Sequence, residues 1–123
     1  MKIKVYRPNQ IGGCITEIES KGGTRIILDV GSNLRGNNIG EDVNVEEITK
    51  DCDGVFISHY HGDHIGEVGH VAKGVPIYMG KVAQKIFLAL QTVLKNRNTL
   101  NANPEHVKTF STFFIKASVH NLS

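Results

Sequence analysis

Three histidines and one aspartate lie within six consecutive residues of this 123-residue chain. They are His59, His61, Asp63 and His64, in the run His-Tyr-His-Gly-Asp-His. Neutral imidazoles and carboxylates are the ligands that bind zinc where thiolates are absent. Isolated histidines are usually ordinary surface or core residues, but a cluster of this density favours a metal site, and zinc is the metal expected.

The spacing of these residues explains how one loop could serve two metal ions. Residues two apart in an extended segment face the same side, so His59 and His61 can reach one ion together. Gly62 allows a sharp turn because glycine tolerates positive φ, and the turn would bring Asp63 and His64 to a second position. The run therefore predicts two ligands for each of two neighbouring metals.

A buried strand is expected to hold this loop, because residues 54–58 (GVFIS) form an apolar run that ends where the histidines begin. A loop at a strand end is well placed for function because the scaffold fixes it. Alternation and turn residues predict the other elements. Strands are predicted at 2–6, 14–19, 25–30, 54–58, 75–79 and 109–119, and helices at 43–50, 65–72 and 81–96. This mixture predicts an α/β or α+β fold.

Two details of the predicted helices can be checked against the structure. Asp42 is the expected N-cap of the helix over 43–50. The helix over 81–96 carries an apolar stripe at helical spacing, which is expected to pack in the core. The stripe consists of Val82, Ile86, Ala89, Leu90 and Val93.

The bulk properties narrow the class of protein. The length suits one small domain, and a net charge of +2 is too small to indicate binding to nucleic acid or a membrane surface. No apolar run reaches the roughly 18 residues of a membrane span, and the N-terminus lacks a signal peptide core, so a soluble cytoplasmic protein is expected. Cys14 and Cys52 form no CxxC pair, and Cys14 is expected to be buried. His70 and His106 are expected at the surface.

The segment around the histidines, with two shorter segments upstream, resembles a known family. Ser58 to Gly66, SHYHGDHIG, resembles the HxHxDH signature of the metallo-β-lactamase fold hydrolases. Upstream, residues 12–14 (GGC) resemble the glycine-rich turn near the start of that fold, and residues 26–31 (IILDVG) resemble its strand that ends in Asp-Gly. Within the family, residues 59–61 and 75–80 are most similar to the ribonuclease J and β-CASP type of RNA-processing nuclease.

The resemblance implies a fold and a mechanism. The fold would be an αββα sandwich, of which residues 1–123 would supply the N-terminal half as a single, truncated domain with a mixed sheet and flanking helices. Two zinc ions would hold a bridging hydroxide, which would attack a phosphodiester of RNA or, in other branches, a carbonyl. Asp63 would be both a ligand and the catalytic orienter of the attacking water. Asp29 would lie beside the metal site and support the ligands without binding the metal itself.

The chain departs from the family downstream of the loop. It has no room for the later aspartate that bridges the metals or for the final histidine, and His120 is the only candidate for the third histidine of the first metal. A catalytic zinc site needs about three protein ligands and water, so the second site is expected to be incomplete. Three functions remain open: a zinc hydrolase acting on RNA or another phosphoester, a non-catalytic metal-binding fragment, and a half-domain completed as a homodimer through an exposed apolar sheet face.

Overall fold

The computed structural model describes residues 1–33, 43–94 and 107–109. The strands are β1 (Lys2–Tyr6), β2 (Ile15–Glu19), β3 (Arg25–Leu28), β4 (Gly54–Ile57), β5 (Ile77–Met79) and β6 (Val107–Thr109). The helices are α1 (Val45–Thr49), α2 (Gly62–Ile65) and α3 (Lys81–Leu94), with a 3₁₀ turn at Val68–His70. The predicted mixture of strands and helices is confirmed. In the described part of the chain, no helix is long and apolar enough to cross a membrane.

The strands form one mixed sheet in the order β1-β2-β3-β4-β5-β6. β2 runs antiparallel to both of its neighbours, β1 and β3, and the strands from β3 to β6 run parallel to one another. The central strand β4 is buried along its whole length. Parallel strands need crossover connections, and these place α1, α2 and α3 between consecutive strands.

One face of the sheet carries the core. Side chains opposite one another in a ladder share a face, so the register assigns each residue to one side. The buried cluster is drawn from that single face, from the helices and from the connecting segments. From the sheet it includes Ile15, Ile27, Val55, Ile57, Ile77 and Met79, and from the helices and turns Val45, Ile65, Val68 and Phe87.

The opposite face is apolar but less covered by the described residues. We call it the open face and define it by Ile3, Val5, Ile18, Ile26 and Leu28, which the register places side by side on β1, β2 and β3. Ile3 and Val5 are 58% and 51% exposed, and the other three are half-buried. The described part of the chain thus has an apolar sheet face open to solvent at its β1 end.

Two predicted helix details are wrong for local reasons. Helix α1 is capped by Asn44, whose side-chain oxygen accepts a hydrogen bond from the Glu47 N–H, and not by Asp42. The helix expected over 65–72 instead starts at Gly62 and ends after one turn. The helix does not continue past this turn because the Glu67 N–H donates to the Val30 carbonyl, at 2.8 Å, and not to a carbonyl of the preceding turn.

The predicted burial of the α3 stripe is also wrong. Val82 and Val93 are 71% and 73% exposed, whereas Phe87 is 1% exposed and belongs to the core. Ala83 packs beside it, one helical turn earlier. Apolar side chains occupy more than one face of α3, so their period does not reveal which face meets the sheet.

The predicted last strand over 109–119 overlaps the structure only at its start. β6 pairs with β5 through Val107 to Thr109, two residues earlier than expected. Residues 110–123 lie outside the described residues. The expectations for His106 and His120 therefore stay predictions.

Candidate metal centre

The histidine run directly follows β4, as the sequence predicted. We call residues 58–64 the metal loop. Neighbouring segments hold its backbone through three hydrogen bonds. Cys14 N donates to Asp63 O at 2.9 Å, Ser32 N to Gly62 O at 3.0 Å, and Val30 N to His64 O at 2.9 Å. These bonds fix the loop to the segments that precede β2 and follow β3.

Close approach of the backbones requires glycine at two positions. A Cβ atom at Gly31 would overlap the Asp63 carbonyl, and one at Gly66 would overlap the Ser32 side chain and the Gly62 carbonyl. Neither glycine has a positive φ, so the requirement at both positions is space alone. These packing roles could not be predicted from the sequence, because a glycine by itself does not indicate which distant segment of backbone will pack against it.

A buried arginine joins two of the segments around the loop. Arg7 is 7% exposed, and its Nη1 donates to the carbonyls of Gly31 at 2.8 Å and Gly13 at 3.1 Å. Hydrogen bonds to a charged donor are stronger than neutral ones, so Arg7 ties the glycine-rich turn to the end of β3. Sequence reasoning missed Arg7, because a single arginine after a strand carries no pattern.

The Asp29 carboxylate holds two residues of the metal loop, Ser58 and His64, through hydrogen bonds. The φ of 58° at Asp29 ends β3 at Leu28 and turns the carboxylate toward the loop. The carboxylate accepts hydrogen bonds from Ser58 N at 2.7 Å, Ser58 Oγ at 2.8 Å and His64 Nδ1 at 2.8 Å. A carboxylate can only accept, so neutral His64 must carry its proton on Nδ1. The His64 Nε2 atom then keeps its lone pair, and this atom lies 3.5 Å from Asp63 Oδ2.

Ser58 fixes the position of the ring proton of His59 in the same way as Asp29 does for His64. The single hydroxyl proton of Ser58 is donated to Asp29, so the Ser58 Oγ must accept from His59 Nδ1 at 2.9 Å. His59 is thereby left with a free Nε2. This bond was missed from the sequence, although the position of Ser58 between a strand end and the first histidine was visible.

The three imidazole rings of the loop lie together. The ring centroids of His59 and His61 are 4.8 Å apart, and those of His59 and His64 are 4.0 Å apart. The donor types suit zinc. Within residues 1–33 and 43–94, however, no three His, Cys, Asp or Glu side chains are arranged to hold a metal ion. The structure therefore brings the three loop histidines together without grouping them around one metal position, and the two rings that lie closest, His59 and His64, were predicted to bind different ions. His120 lies outside the described residues.

Two other predictions at the site can be compared with the structure. Cys14 is exposed and not buried, because β2 begins at Ile15 and leaves Cys14 in the preceding turn. Surrounding protein atoms still exclude part of its solvent, and this partial burial, followed by the negative charges of Asp29 and Asp63, raises the pKa of the Cys14 thiol. His70 is exposed as expected, and its Nδ1 lies 2.5 Å from Glu67 Oε2.

Comparison with known proteins agrees with this architecture. The family model described as Metallo-beta-lactamase superfamily matches residues 15–109. No curated protein matches the chain. A solved structure, a protein of unknown function from Enterococcus faecalis V583, is similar with a TM-score of 0.57 and 21% identity, over 80% of this chain. That likeness concerns the fold, and this chain covers 29% of the other chain's length. Because the family match spans well over half of its residues, the chain belongs to the metallo-beta-lactamase superfamily.

Proposed function

We propose that this chain carries the metal-binding segment of a zinc-dependent hydrolase that cleaves phosphodiester bonds, with RNA as the substrate class. Superfamily membership supports a metallo-hydrolase. The observation that carries the proposal is the set of hydrogen bonds behind the loop: Asp29 and Ser58 engage the Nδ1 atoms of His64 and His59, which leaves the Nε2 atom of each ring available to a metal. Fixing the tautomer of a ligand histidine in this way is how outer partners support metal sites.

The metal loop supplies ligands for two ions in this proposal. His59 and His61 would hold the first and Asp63 and His64 the second, with His120 as the proposed third ligand of the first ion. When bound, zinc would supply Lewis acidity, which polarises a phosphoryl oxygen and makes water nucleophilic near neutral pH. The proposed pairs are supported by proximity: the ring centroids of His59 and His61 are 4.8 Å apart, and His64 Nε2 lies 3.5 Å from Asp63 Oδ2.

Asp63 has the catalytic role in this proposal. Its side chain is 32% exposed, so its carboxylate can accept a hydrogen bond from a water that enters from solvent. That bond would orient the water toward the substrate phosphorus. The Cys14 N–H donates to the backbone carbonyl of Asp63 at 2.9 Å, which fixes the backbone that carries this side chain. RNA is proposed because residues 59–61 and 75–80 resemble ribonuclease J-type enzymes.

Zinc content and hydrolysis test the proposal together. Elemental analysis should find zinc bound to the purified chain, and His61→Ala should lower the zinc content and abolish hydrolysis of bis(p-nitrophenyl) phosphate. His70→Ala is the matched control, because His70 is exposed and lies outside the loop. Hydrolysis that survives His61→Ala, or an equal loss of zinc in both variants, would contradict the proposal.

A non-catalytic metal-binding fragment is the second candidate. It is favoured by the lack, among the described residues, of three side chains arranged around one metal position. Such a protein would bind zinc through the loop with no hydrolysis of any phosphodiester. The same two measurements separate it from the hydrolase, because His61→Ala would then change zinc content only.

Completion of the fold by a second copy is the third candidate, and the open face favours it. Burying Ile3 and Val5 against another copy would remove apolar surface from water. Light scattering after gel filtration should then show a dimer, which Ile3→Thr with Val5→Thr would weaken. Lys2→Thr is the control, because Lys2 lies on the same strand but on the opposite face. A monomer at all concentrations would exclude this candidate.

A further inference from the structure

The buried Arg7 side chain holds two backbone carbonyls through a single nitrogen atom. Arg7 Nη1 lies 3.1 Å from the Gly13 oxygen and 2.8 Å from the Gly31 oxygen, and it carries two N–H groups, one for each acceptor. The side chain is buried, so little water competes for these bonds. A Cβ atom at Gly13 would lie 3.1 Å from the same Nη1 atom, so the absence of a side chain there makes room for the guanidinium.

The first of these carbonyls belongs to a peptide that also contacts the metal loop. Gly13 and Cys14 share this peptide, and the Cys14 N–H donates to the Asp63 carbonyl at 2.9 Å. The peptide is trans, so its C=O and N–H groups point in opposite directions. It therefore lies between the Arg7 guanidinium on one side and the backbone of Asp63 on the other.

The second carbonyl repeats this arrangement beyond the end of β3. Gly31 and Ser32 share a trans peptide, and the Ser32 N–H donates to the Gly62 carbonyl at 3.0 Å. The guanidinium of Arg7 thus lies behind both peptides whose N–H groups hold residues 62 and 63 of the metal loop. One side chain is in this way connected to two of the three backbone bonds that hold the loop.

A charged donor on a carbonyl affects the whole peptide group. Hydrogen bonds from a guanidinium are stronger than those from a neutral donor. Linked hydrogen bonds polarise one another, so the N–H on the far side of the same peptide becomes a better donor. This polarisation is strongest where water is excluded, as it is around the buried Arg7 side chain. A single cation therefore strengthens both bonds beyond it.

We propose that Arg7 is a positioning residue of the metal loop, whose guanidinium polarises two peptides and so strengthens the backbone bonds to Gly62 and Asp63. These bonds set the place from which the Asp63 carboxylate reaches the metal and its water. Arg7 acts through the two peptides and not on the substrate. The consequence for zinc binding rests on the proposed function, whereas the hydrogen-bond network does not depend on it.

Arg7→Met tests the network in the metal-free chain, because methionine keeps a long unbranched stem and removes the donors. NMR couplings across hydrogen bonds report the bond from Cys14 to Asp63 and the bond from Ser32 to Gly62 directly. Both couplings should fall. Amide exchange at Cys14 and Ser32 should accelerate about tenfold, the factor that corresponds to one ordinary hydrogen bond.

Two comparisons separate this role from a general loss of stability. The Val30 N–H donates to His64 O from a different peptide, so its exchange should accelerate no more than the change in global unfolding requires. Arg25→Met is the matched control, because the Arg25 guanidinium also donates to backbone carbonyls, those of Ile48 and Lys50 at the end of α1. This control should lower stability without changing the two couplings.

The charge itself is tested by replacing Arg7 with citrulline, which keeps the shape and an NH₂ group but is neutral. Ligation of residues 1–13 to residues 14–123 at Cys14 gives the full chain with this replacement. Both couplings should fall here too, and this protein decides the question if Arg7→Met does not fold. Unchanged couplings in the citrulline protein, or an equal loss in Arg25→Met, would overturn the proposal.

Zinc affinity, measured by competition with a coloured chelator, connects the network to the metal site. It should fall severalfold in Arg7→Met and stay unchanged in Arg25→Met. Wild-type zinc affinity in Arg7→Met, with both couplings lowered, would overturn the link to the metal. If the unmodified chain binds no zinc, the hydrolase proposal fails, and the couplings still decide whether Arg7 positions the loop.

Discussion

Replacing Asp29 with asparagine tests the proton ordering behind the metal loop. Asparagine has nearly the same shape and tolerates the positive φ of this position, so the backbone should be retained. Its carbonyl oxygen can still accept from Ser58 N, but its NH₂ group would face Ser58 Oγ and His64 Nδ1. An NH₂ group only donates, so His64 must move its proton from Nδ1 to Nε2 or lose the bond.

The magnitude follows from the bonds that change. Hydrogen bonds to a charged group contribute about 1.5–3 kcal/mol and neutral ones about 0.5–1.5 kcal/mol, so Asp29→Asn should lower the free energy of unfolding by about 1–3 kcal/mol. The loss of a free Nε2 on His64 should weaken zinc binding about 10–100-fold, as for other partners of metal ligands. That factor corresponds to about 1.4–2.8 kcal/mol.

Long-range ¹H–¹⁵N NMR of the metal-free protein reads the tautomer directly, and competition with a coloured chelator measures zinc affinity. Ser58→Thr keeps the hydroxyl and is the matched control, because it should retain the tautomers of His59 and His64. Wild-type zinc affinity in Asp29→Asn, together with an unchanged Nδ1 proton on His64, would refute the reasoning.

Three further changes test the surroundings of the site. Gly31→Ala should displace the metal loop, because the added methyl overlaps the Asp63 carbonyl, and should destabilise the protein by several kcal/mol on chemical unfolding, roughly as overpacking does. Thr49→Val should cost about 1–3 kcal/mol, because it leaves the buried Ala72 N–H without the Thr49 Oγ1 acceptor at 2.9 Å. In a Cys52→Ala background, the rate at which Cys14 reacts with iodoacetamide can be followed against pH in the folded and in the urea-unfolded chain. The midpoint should lie at higher pH in the folded chain, because folding raises the pKa of the Cys14 thiol and the reactive thiolate then forms only at higher pH.

Each of these changes has a control or a contradicting outcome. Gly22→Ala introduces the same methyl group where only the Ser20 hydroxyl lies within 4 Å, at 3.8 Å, and should be nearly neutral. Thr92→Val removes a similar helical hydroxyl bond at an exposed position and should cost little. For Cys14, a folded midpoint at or below the unfolded one would show that burial and nearby carboxylates do not control the thiol.

Much of the secondary structure follows from local sequence. β1 lies where alternation placed it, and β4 ends one residue earlier than expected, directly before the metal loop. Boundaries failed where a distant group intervened. The end of β3 is set by the positive φ of Asp29, which serves contacts with Ser58 and His64. The apolar pattern within residues 25–30 does not contain that information, and only the family resemblance singled out Asp29.

The candidate ligands and their order came from the sequence by itself, because residues 59–64 form one continuous segment whose spacing indicates which side chains share a side. The family resemblance already implied that Asp29 supports the loop, but the contacts that do so were decided only by the tertiary structure. His64 and Asp29 are 35 residues apart, Arg7 reaches Gly31 across 24, and the exposed face of α3 depends on which side meets the sheet. Such contacts depend on how β3 and β4 pair and on how closely glycine lets backbones approach, and neither is encoded in the spacing of neighbouring residues.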